Sequence, residues 1–370
     1  MRFPEFSGEW KMATFGDIAK GFDYGMNAAA KSFDGNNKYI RITDIDEVSS
    51  QYLYDDVVSP DGELEDRYLV KENDILLART GASTGKSYLY RNSDGKLYFA
   101  GFLIRANIYK HNSYFVFSQL HTLRYKKWIS VMSARSGQPG INSQEYASFP
   151  VYTTSLQEED KIATFLKLLD ERIITQNKII EDLKKLKSAI TDLLFHSIAD
   201  AHTIRLGEIA HITNGAGDVQ DANTEHQEDW YPFFDRSEEL KWFPTYSFDK
   251  EAVIYAGEGQ SFYPRYYNGK FALHQRCYAI TDFASCIIPK YCYHFMNTLN
   301  SYFVRNSVGS TVPSLRMDIF QKVEIRLPPI PKQQHICKII DAFYTKLEVE
   351  QRGISILQEL KQFLLSQMFI

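Results

Sequence analysis

A long amphipathic helix that occurs twice constrains the fold of this chain more than any other feature. The first copy runs from Leu156 to about Ser197, and its seam of mostly apolar residues advances by steps of three and four. This spacing keeps one face of a helix against a partner helix. Adding 174 to each residue number gives a second copy that matches at every seam position. The apolar pairs are Leu166/Ile340, Leu169/Phe343, Ile173/Leu347, Ile180/Ile354, Leu183/Leu357, Ile190/Leu364 and Leu194/Met368, and the polar pairs are Gln176/Glu350 and Lys187/Lys361.

Two helices in the same register, about half a chain apart, indicate an internal duplication. Taken alone, either copy is also compatible with an ordinary core helix. Each run of about 40 residues is roughly 60 Å long at 1.5 Å per residue, which exceeds the typical globular helix. The pair is therefore predicted to bury its seams against each other and to act as a spacer between two other bodies.

The polar seam positions have two interpretations. Their side chains can lie at the edge of the seam with the polar heads in water. Alternatively, they fix the register and orientation of the helices at a cost in stability, as buried polar residues do in coiled coils.

Composition limits the class of protein. The 370 residues suffice for two or three domains, and 44% hydrophobic with 24% charged residues is a globular composition. The net charge of −4 argues against a protein that coats nucleic acid by bulk charge, although local basic faces stay possible. No apolar run reaches the roughly 18 residues of a membrane span, and the start lacks a signal-peptide pattern. The four cysteines form no CxxC pair, so we expect reduced thiols, a cytoplasmic location and no metal site.

Residues 1–150 read as an α+β body. Lys38–Ile45 alternates apolar and polar residues, and Asp74–Ala78 is a short apolar strand. Ser87–Arg91 and Leu97–Ile108 flank a turn and are interpreted as a hairpin. Aromatic and leucine residues at helical spacing predict one helix over His111–Met132.

A second body repeats the plan of the first after residue 200. The matching segments are Phe15–Ala19 with Leu206–Ala210 (offset 191), Tyr39–Ile42 with Tyr231–Phe234 (offset 192), Asp74–Gly81 with Ala252–Gly259 (offset 178), and Ser136, Pro139 and Ile141 with Ser310, Pro313 and Leu315 (offset 174). The predicted division is a body at 1–155, a helix at 156–200, a body at 201–330 and a helix at 331–370.

The chain carries no recognisable catalytic motif. Gly81–Ser87 resembles a phosphate-binding loop, but it has three residues between its glycines where that loop needs four, and a strand follows it. We interpret it as a hairpin loop that presents Arg79, Lys86 and backbone N–H groups to a ligand, with a solvated surface turn as the alternative. The only Pro-Pro pair, after Leu327, lacks the flanking residues of an adenine methyltransferase motif. The acidic pairs Glu158/Glu159 and Asp170/Glu171 are predicted to form a solvated helix face.

Several segments together resemble the DNA-specificity subunit of type I restriction–modification enzymes. They are the opening Arg2–Trp10, the two Gly-(Asp/Glu)-Ile-Ala starts, the Ser-Gly-Gln-Pro and Ser-Thr-Val-Pro turns, and the helix entries that begin at Leu156 and Ile330. The resemblance covers the whole chain. It implies an α+β protein in which two similar α/β target-recognition domains are separated by two long antiparallel coiled-coil helices related by a pseudo-twofold axis.

The resemblance also implies function and partners. Each body would read one half of a bipartite site in double-stranded DNA. The helices would set the gap and dock two modification subunits, whose adenine-N6 methyltransferase uses S-adenosylmethionine, and restriction subunits with motor and nuclease activity would join this core. The chain itself would be non-catalytic and bind no cofactor, metal or membrane. The alternative is a scaffold protein that binds proteins and not DNA.

Long polar and basic side chains in the bodies are the candidates for DNA contact, since arginine suits guanine, and glutamine suits adenine, in the major groove. The candidates are Arg41, Arg79, Lys86, Arg91, Arg105 and Arg135 in the first body, and Arg236, Lys241, Tyr263, Arg265, Tyr266, Lys270, His274, Gln275 and Arg276 in the second.

Overall fold

A computed structural model describes residues 2–134, 139–198, 200–309 and 311–369 of the chain. It divides into two compact units. Unit 1 comprises Met1–Ile179 and Gln351–Ile370, and unit 2 comprises Ile180–Glu350. Each unit therefore contains one body and parts of both long helices. The boundary between body and helix inferred from the sequence stays a prediction, because the two units divide the chain within the helices.

The body of unit 1 is built mainly on a four-stranded antiparallel sheet in the order β2-β9-β6-β7. Three two-stranded pairs, β1–β10, β3–β5 and β4–β8, surround it, and only the last of these is parallel. The elements are β1 (Lys11–Thr14), α1 (Phe15–Ile18), β2 (Ala19–Tyr24), β3 (Ala29–Ser32), β4 (Lys38–Ile40), β5 (Val58–Asp61), β6 (Asp74–Ala78), β7 (Ser87–Leu89), β8 (Leu97–Phe99), β9 (Leu103–Ile108), α2 (Ser113–Gln119), α3 (Leu123–Ser133), α4 (Ser143–Ala147) and β10 (Pro150–Thr153), followed by the long helix α5 (Leu156–His196).

The body of unit 2 is built on a six-stranded sheet in the order β12-β17-β15-β16-β13-β14, with β11 and β18 paired separately. Its elements are β11 (His202–Arg205), α6 (Leu206–Ile209), β12 (His211–Asn214), β13 (Tyr231–Phe234), β14 (Lys241–Phe243), β15 (Phe248–Ala256), β16 (Arg265–Leu273), β17 (Cys277–Thr281), α7 (Pro289–Met296), α8 (Asn300–Asn306), α9 (Met317–Gln321) and β18 (Glu324–Leu327), followed by the long helix α10 (Ile330–Met368).

The two long helices run antiparallel. In unit 1, Leu166 near the start of α5 and Leu365 near the end of α10 belong to the same hydrophobic core. In unit 2, Phe195 at the end of α5 and Ile336 near the start of α10 belong to the other core. The seam read from the sequence is confirmed, because none of its residues is classed as exposed while many of their helical neighbours are.

Equivalent backbone hydrogen bonds define the repeat residue by residue. Phe15 N donates to Phe149 O at 2.8 Å, and Leu206 N donates to Val323 O at 2.8 Å, which confirms the offset of 191 at this position. The offset of 192 assigned to Tyr39 was wrong by two residues. Ala100 N donates to Ile40 O, and the equivalent His274 N donates to Phe234 O, so the offset there is 194. The alignment of Tyr39 with Tyr231 failed because the equivalent positions are set by the parallel pairing of β4 with β8 and of β13 with β16. Residue identity does not determine this pairing.

Two local predictions in the first body were also wrong. The segment Leu97–Ile108 is not one strand of a hairpin with Ser87–Arg91, because β7 pairs with β6 whereas β8 pairs in parallel with β4. The chain leaves one sheet for another at Ala100–Phe102. The single helix predicted over His111–Met132 is two helices, since Thr122 caps a new start by accepting a hydrogen bond from Tyr125 N.

The acidic pair Glu158/Glu159 is buried at 0% exposure, so the predicted solvated face is wrong there. Arg2 donates two hydrogen bonds to the Glu158 carboxylate at 2.6 and 2.7 Å, and Trp10 donates a third at 3.1 Å. Burial opposes the ionisation of Glu158, but these hydrogen bonds together lower its pKa. Buried carboxylates need such partners, and the N-terminal segment, distant in sequence, supplies them.

Glu159 and its repeat equivalent Gln333 attach the long helices to their bodies. Glu159 accepts hydrogen bonds from His111 Nδ1 at 2.8 Å and from Asn112 N at 2.9 Å, just before α2. Gln333 accepts one from Ile288 N at 2.9 Å, just before α7. One side chain at the first turn of each long helix thus accepts a hydrogen bond from the backbone N–H just before a body helix, α2 in unit 1 and α7 in unit 2.

Candidate nucleic-acid interface

Four segments of each body converge at one place, which we call the junction of that unit. They contain Gly25, Arg79 to Gly81, Phe102 and Pro139 in unit 1, and Gly215, Gly257 to Gly259, Arg276 and Pro313 in unit 2. In unit 1, Arg79 N donates to Phe102 O at 3.1 Å and Gly81 N donates to Pro139 O at 3.0 Å. In unit 2 the same bonds run from Gly257 N to Arg276 O at 2.9 Å and from Gly259 N to Pro313 O at 3.1 Å. The junctions therefore have the same backbone arrangement.

A glycine allows the strand ends to approach closely at each junction. A Cβ atom on Gly25 would lie 2.2 Å from Ala100 O, and one on Gly215 would lie 2.0 Å from Leu273 O. No real side chain tolerates such distances from a backbone oxygen, so both positions require glycine.

The junction of unit 1 opens into a groove of 590 Å³ that we call the junction groove. Its lining includes Tyr24, Arg41, Arg79 and Phe102. Arg79 stacks over the Tyr24 ring at 4.8 Å and reaches Gly101 O at 3.5 Å. Within the described residues, no carboxylate pairs with Arg79, and its buried Nε has no hydrogen-bond partner. Arg79 thus brings to the groove a positive charge that no carboxylate of the described residues neutralises.

Arg41 lies on the same groove but is neutralised within the protein. Its guanidinium donates to Asp44 at 2.7 Å and to Asp56 at 3.0 Å, and these hydrogen bonds raise its pKa. Asp44 is buried, whereas Asp56 is exposed. Arg41 can bind a ligand only if the ligand displaces the exposed carboxylate of Asp56.

The junction of unit 2 carries two arginines around one acid. Arg236 and Arg276 donate to opposite oxygens of Glu258 at 2.6 and 2.9 Å. Burial acts to raise the pKa of Glu258, but the two arginines lower it overall. Both arginines are about half exposed, and the Gln275 side chain beside them is exposed. The surface therefore presents two bidentate donors with one net positive charge.

The remaining predicted residues of the first body lie elsewhere. Lys86 is 3.9 Å from Glu47 on the other side of the hairpin loop. Arg91 is exposed beside a groove that α5 lines. Arg105 is 15% exposed and binds Asp23 and two backbone carbonyls, which indicates a structural role. Arg135 lies outside the described residues.

The remaining predicted residues of the second body are mostly engaged in internal contacts. Lys241 pairs with the buried Asp235 at 2.6 Å, Arg265 donates to Ser237 O, and Tyr266 donates to Glu251. His274 is buried, which lowers its pKa, and its Nδ1 accepts from Arg276 N at 3.1 Å. Lys270 is exposed over the Tyr246 ring, and Tyr263 is 58% exposed beside the long helices.

Phe102 belongs to the junction of unit 1 but was missed from the sequence. It is 62% exposed on the turn between β8 and β9. Arg276 occupies the equivalent turn in unit 2, as the shared backbone hydrogen bonds show. The residue was overlooked because Leu97–Ile108 was read as one strand, although Gly101 within it is a signal for a break.

The glycine-rich loop is a hairpin. Leu77 pairs with Ser87 across it, and β7 follows where a phosphate-binding loop would open a helix. Among the described residues, no three histidine, cysteine, aspartate or glutamate side chains are grouped to hold a metal ion. Within the same residues, no helix is long and apolar enough to cross a membrane.

Comparisons with known proteins agree on one family. The model of the type I restriction modification DNA specificity domain matches residues 7–185 and again residues 199–362. The chain is 31% identical over 165 residues to the type I restriction enzyme EcoDI specificity subunit of Escherichia coli, which covers 44% of this chain and 36% of that protein. It is 25% identical over 203 residues to the MjaVIII specificity subunit of Methanocaldococcus jannaschii, which covers 53% of this chain and 43% of that protein.

A solved structure shares the fold across both chains. The type I restriction–modification S subunit from M. genitalium has a TM-score of 0.68 at 16% identity and covers 98% of this chain and 96% of its own. This likeness concerns the fold. The matched segments span less than half the length of the two curated relatives.

Proposed function

The chain belongs to the type I restriction–modification DNA specificity family, and from this premise we propose that it is the DNA-binding specificity subunit of such a complex. Each body reads one half of a bipartite site in double-stranded DNA. The chain is a non-catalytic recognition subunit, it acts in the cytoplasm, and it binds no cofactor of its own.

The repeated junction is the observation that carries this proposal. The same backbone arrangement occurs once in each unit, with different side chains at equivalent positions. Phe102 in unit 1 corresponds to Arg276 in unit 2, and Arg79 corresponds to Gly257. One framework with two different sets of side chains suits a protein that reads two different half-sequences.

Arg79 is the residue of unit 1 best suited to a base contact. Its guanidinium lines the junction groove beside Phe102. The guanidinium is held by Tyr24 and carries no internal ion pair within the described residues. Guanine O6 and N7 are acceptors that match this donor geometry.

In unit 2 the arginine pair supports the same role. Glu258 holds Arg236 and Arg276 in place before binding, which reduces the side-chain entropy lost in the complex. The exposed Gln275 adds an amide that can pair with adenine.

The long helices also present a surface for partner subunits. Both helices carry exposed apolar side chains beside the seam. Each of these residues directly precedes a seam residue in the sequence. They are Phe165, Leu168, Ile179, Leu186 and Leu193 on α5, and Val349, Ile356, Leu360 and Phe363 on α10. Apolar stripes of this kind mark protein interaction sites.

We assign this stripe to two modification subunits, whose adenine-N6 methyltransferase uses S-adenosylmethionine. Restriction subunits would then bind to that core.

Selection from a random duplex DNA library tests the proposal. The chain, purified with its modification subunits, should enrich two conserved half-sequences separated by a gap of constant length. Replacing residues 201–330 with the equivalent body of a relative should change one half-sequence only. Enrichment of no DNA would favour the scaffold alternative, and a continuous site would contradict two-part reading.

A further inference from the structure

Each unit has a second groove beside the long helices, which we call the flanking groove. In unit 1 it has a volume of 430 Å³ between the hairpin end Thr84–Ser87, α3 and the Lys361 region of α10. In unit 2 it has a volume of 420 Å³ between the Lys184–Asp192 region of α5, Tyr263 and the helices α7 and α8. The grooves lie at equivalent positions, because Lys361 and Lys187 are related by the repeat offset of 174, as are Lys126 and Asn300.

The flanking groove of unit 1 is basic. Its lining contains Lys86, Lys126 and Lys361 against a single carboxylate, that of Glu47. Glu47 is 82% exposed and 3.9 Å from Lys86, so water screens this contact. Lys361 also pairs with Asp170, but Lys126 has no such partner within the described residues.

The flanking groove of unit 2 combines lysines with neutral donors. Lys184 and Lys187 line it together with one carboxylate, Asp192. Lys184 also pairs with Glu181 at 2.8 Å, but both side chains are at least half exposed, so water screens this contact. The hydroxyl and amide side chains of the lining include Ser188, Thr191, Asn297, Thr298, Asn300 and Ser301, and His294, which pairs with Asp341, also lines the groove. Lysines with hydroxyl and amide side chains are the groups that proteins use to hold DNA phosphates.

The flanking groove and the junction of unit 1 lie on the two sides of one hairpin loop. Ala78 N donates to Lys86 O at 2.8 Å and Gly85 N donates to Ala78 O at 3.0 Å, which closes the loop. Arg79, at its start, lines the junction groove, and Lys86, at its end, lines the flanking groove. In unit 2, the loop between β15 and β16 has the same arrangement. Glu258, near its start, pairs with Arg236 at the junction, and Tyr263, near its end, lines the flanking groove.

We propose that each flanking groove binds backbone phosphates of the DNA that adjoins the half-site read by its own unit. This inference rests on the proposed function. Lys86 and Lys126 hold the phosphates in unit 1, and Lys184 and Lys187 hold them in unit 2. Such contacts position the duplex and carry no base information.

Neighbouring lysines provide matched controls. On α3, Lys126 lines the groove and the exposed Lys127 does not, and on α5, Lys184 lines it and the exposed Lys185 does not. The affinity of the full complex with its modification subunits is measured for specific and non-specific duplexes from about 50 to about 200 mM salt. The library-selected motif is determined for each variant.

Lys126→Ala and Lys184→Ala should each lower the slope of log affinity against log salt by about 0.9, the value for one phosphate contact. The affinity of each variant should then fall about 3.5-fold less than that of the wild type over this fourfold range of salt. Specific and non-specific binding should weaken alike, and the motif should not change. Lys127→Ala and Lys185→Ala should retain the wild-type slope, and Lys126→Arg should restore it.

Unchanged slopes in Lys126→Ala and Lys184→Ala, beside normal site-specific binding by the wild type, would overturn the inference. So would a changed motif, or a loss confined to assembly with the modification subunits, which would indicate an acidic protein segment as the ligand. Thermal melting of each variant distinguishes these results from misfolding. A wild-type complex without site-specific binding would overturn the proposed function itself.

Discussion

Lys361 Nζ lies 2.6 Å from the carboxylate of Asp170, so a polar seam residue of α10 pairs with a residue of α5. The repeat equivalents of these residues are Lys187 and Tyr344, and Lys187 Nζ lies 4.1 Å from the centre of the Tyr344 ring. Both seam lysines therefore contact the opposite helix at the same position, one by an ion pair and one by a cation–π contact. These contacts support the interpretation that polar seam residues fix the register.

The Lys361–Asp170 pair should contribute measurable coupling. Both side chains are about one-fifth exposed, so the pair is screened less than a surface ion pair. A double-mutant cycle with Lys361→Ala and Asp170→Ala should give a coupling of about 1 kcal/mol in the free energy of unfolding. Asp170 also accepts a hydrogen bond from Tyr114, and the cycle cancels that contribution. Additive single mutants would show that the pair does not stabilise the helices.

Arg79 and Arg105 should separate recognition from stability. Arg79→Ala removes a groove residue without breaking an ion pair and should cost about 1–3 kcal/mol of discrimination at one position of one half-site. Arg105→Ala leaves Asp23 and the backbone carbonyls of Arg67 and Leu69 without their donor, and it should lower the melting temperature. The measurements are library selection and thermal melting of both variants. A stability loss in Arg79→Ala with unchanged recognition would contradict the assignment.

Gly353 and Gly215 should respond in opposite ways to alanine. Gly353 lies within α10, and a Cβ atom there would meet nothing within 4 Å. Alanine should stabilise the chain by about 0.5–1 kcal/mol, because it restricts the unfolded chain and favours the helix. Alanine at Gly215 would place its Cβ 2.0 Å from Leu273 O and should destabilise unit 2. Chemical unfolding of both variants checks the two signs, and a destabilising Gly353→Ala would refute the first.

His121 should make unit 1 less stable in mild acid. Its Nδ1 bonds Phe117 O and its Nε2 bonds Ser50 Oγ, and burial together with the charge of Lys361 lowers its pKa from 6.5 to about 4. Between these pH values the unfolded chain binds a proton that the folded unit does not. The free energy of unfolding therefore falls as the pH falls from about 6.5 to about 4.

Unfolding by urea at several pH values measures this dependence. His121→Gln has no titrating ring, and it should flatten the profile over the same range. An unchanged slope in this variant would assign the acid sensitivity to other groups.

The parts of the fold that depend on periodicity could be predicted from the sequence, and those that depend on distant partners could not. The seam from Leu166 to Leu194 was predictable because a helix brings residues three and four apart to one face. The burial of Glu158 was not, because its partner Arg2 lies 156 positions away.

The same distinction applies to the candidate site. The hairpin between Arg79 and Lys86 was predictable from its glycines and the strand that follows. Phe102 was missed because β8 pairs with β4 while β9 pairs with β6. Gly101 indicates a break between these strands, but it does not show which strand each of them pairs with. Arg105 was included because charge alone does not tell a structural ion pair from a free side chain.

Methylome sequencing of host cells with and without this gene tests the central claim most directly. The account predicts that deletion removes one N6-methyladenine motif of the form half-site, gap, half-site, and that Arg79→Ala relaxes one of its two halves. An unchanged methylome in a strain that expresses the intact complex would contradict the proposed role of the chain as a DNA-specificity subunit.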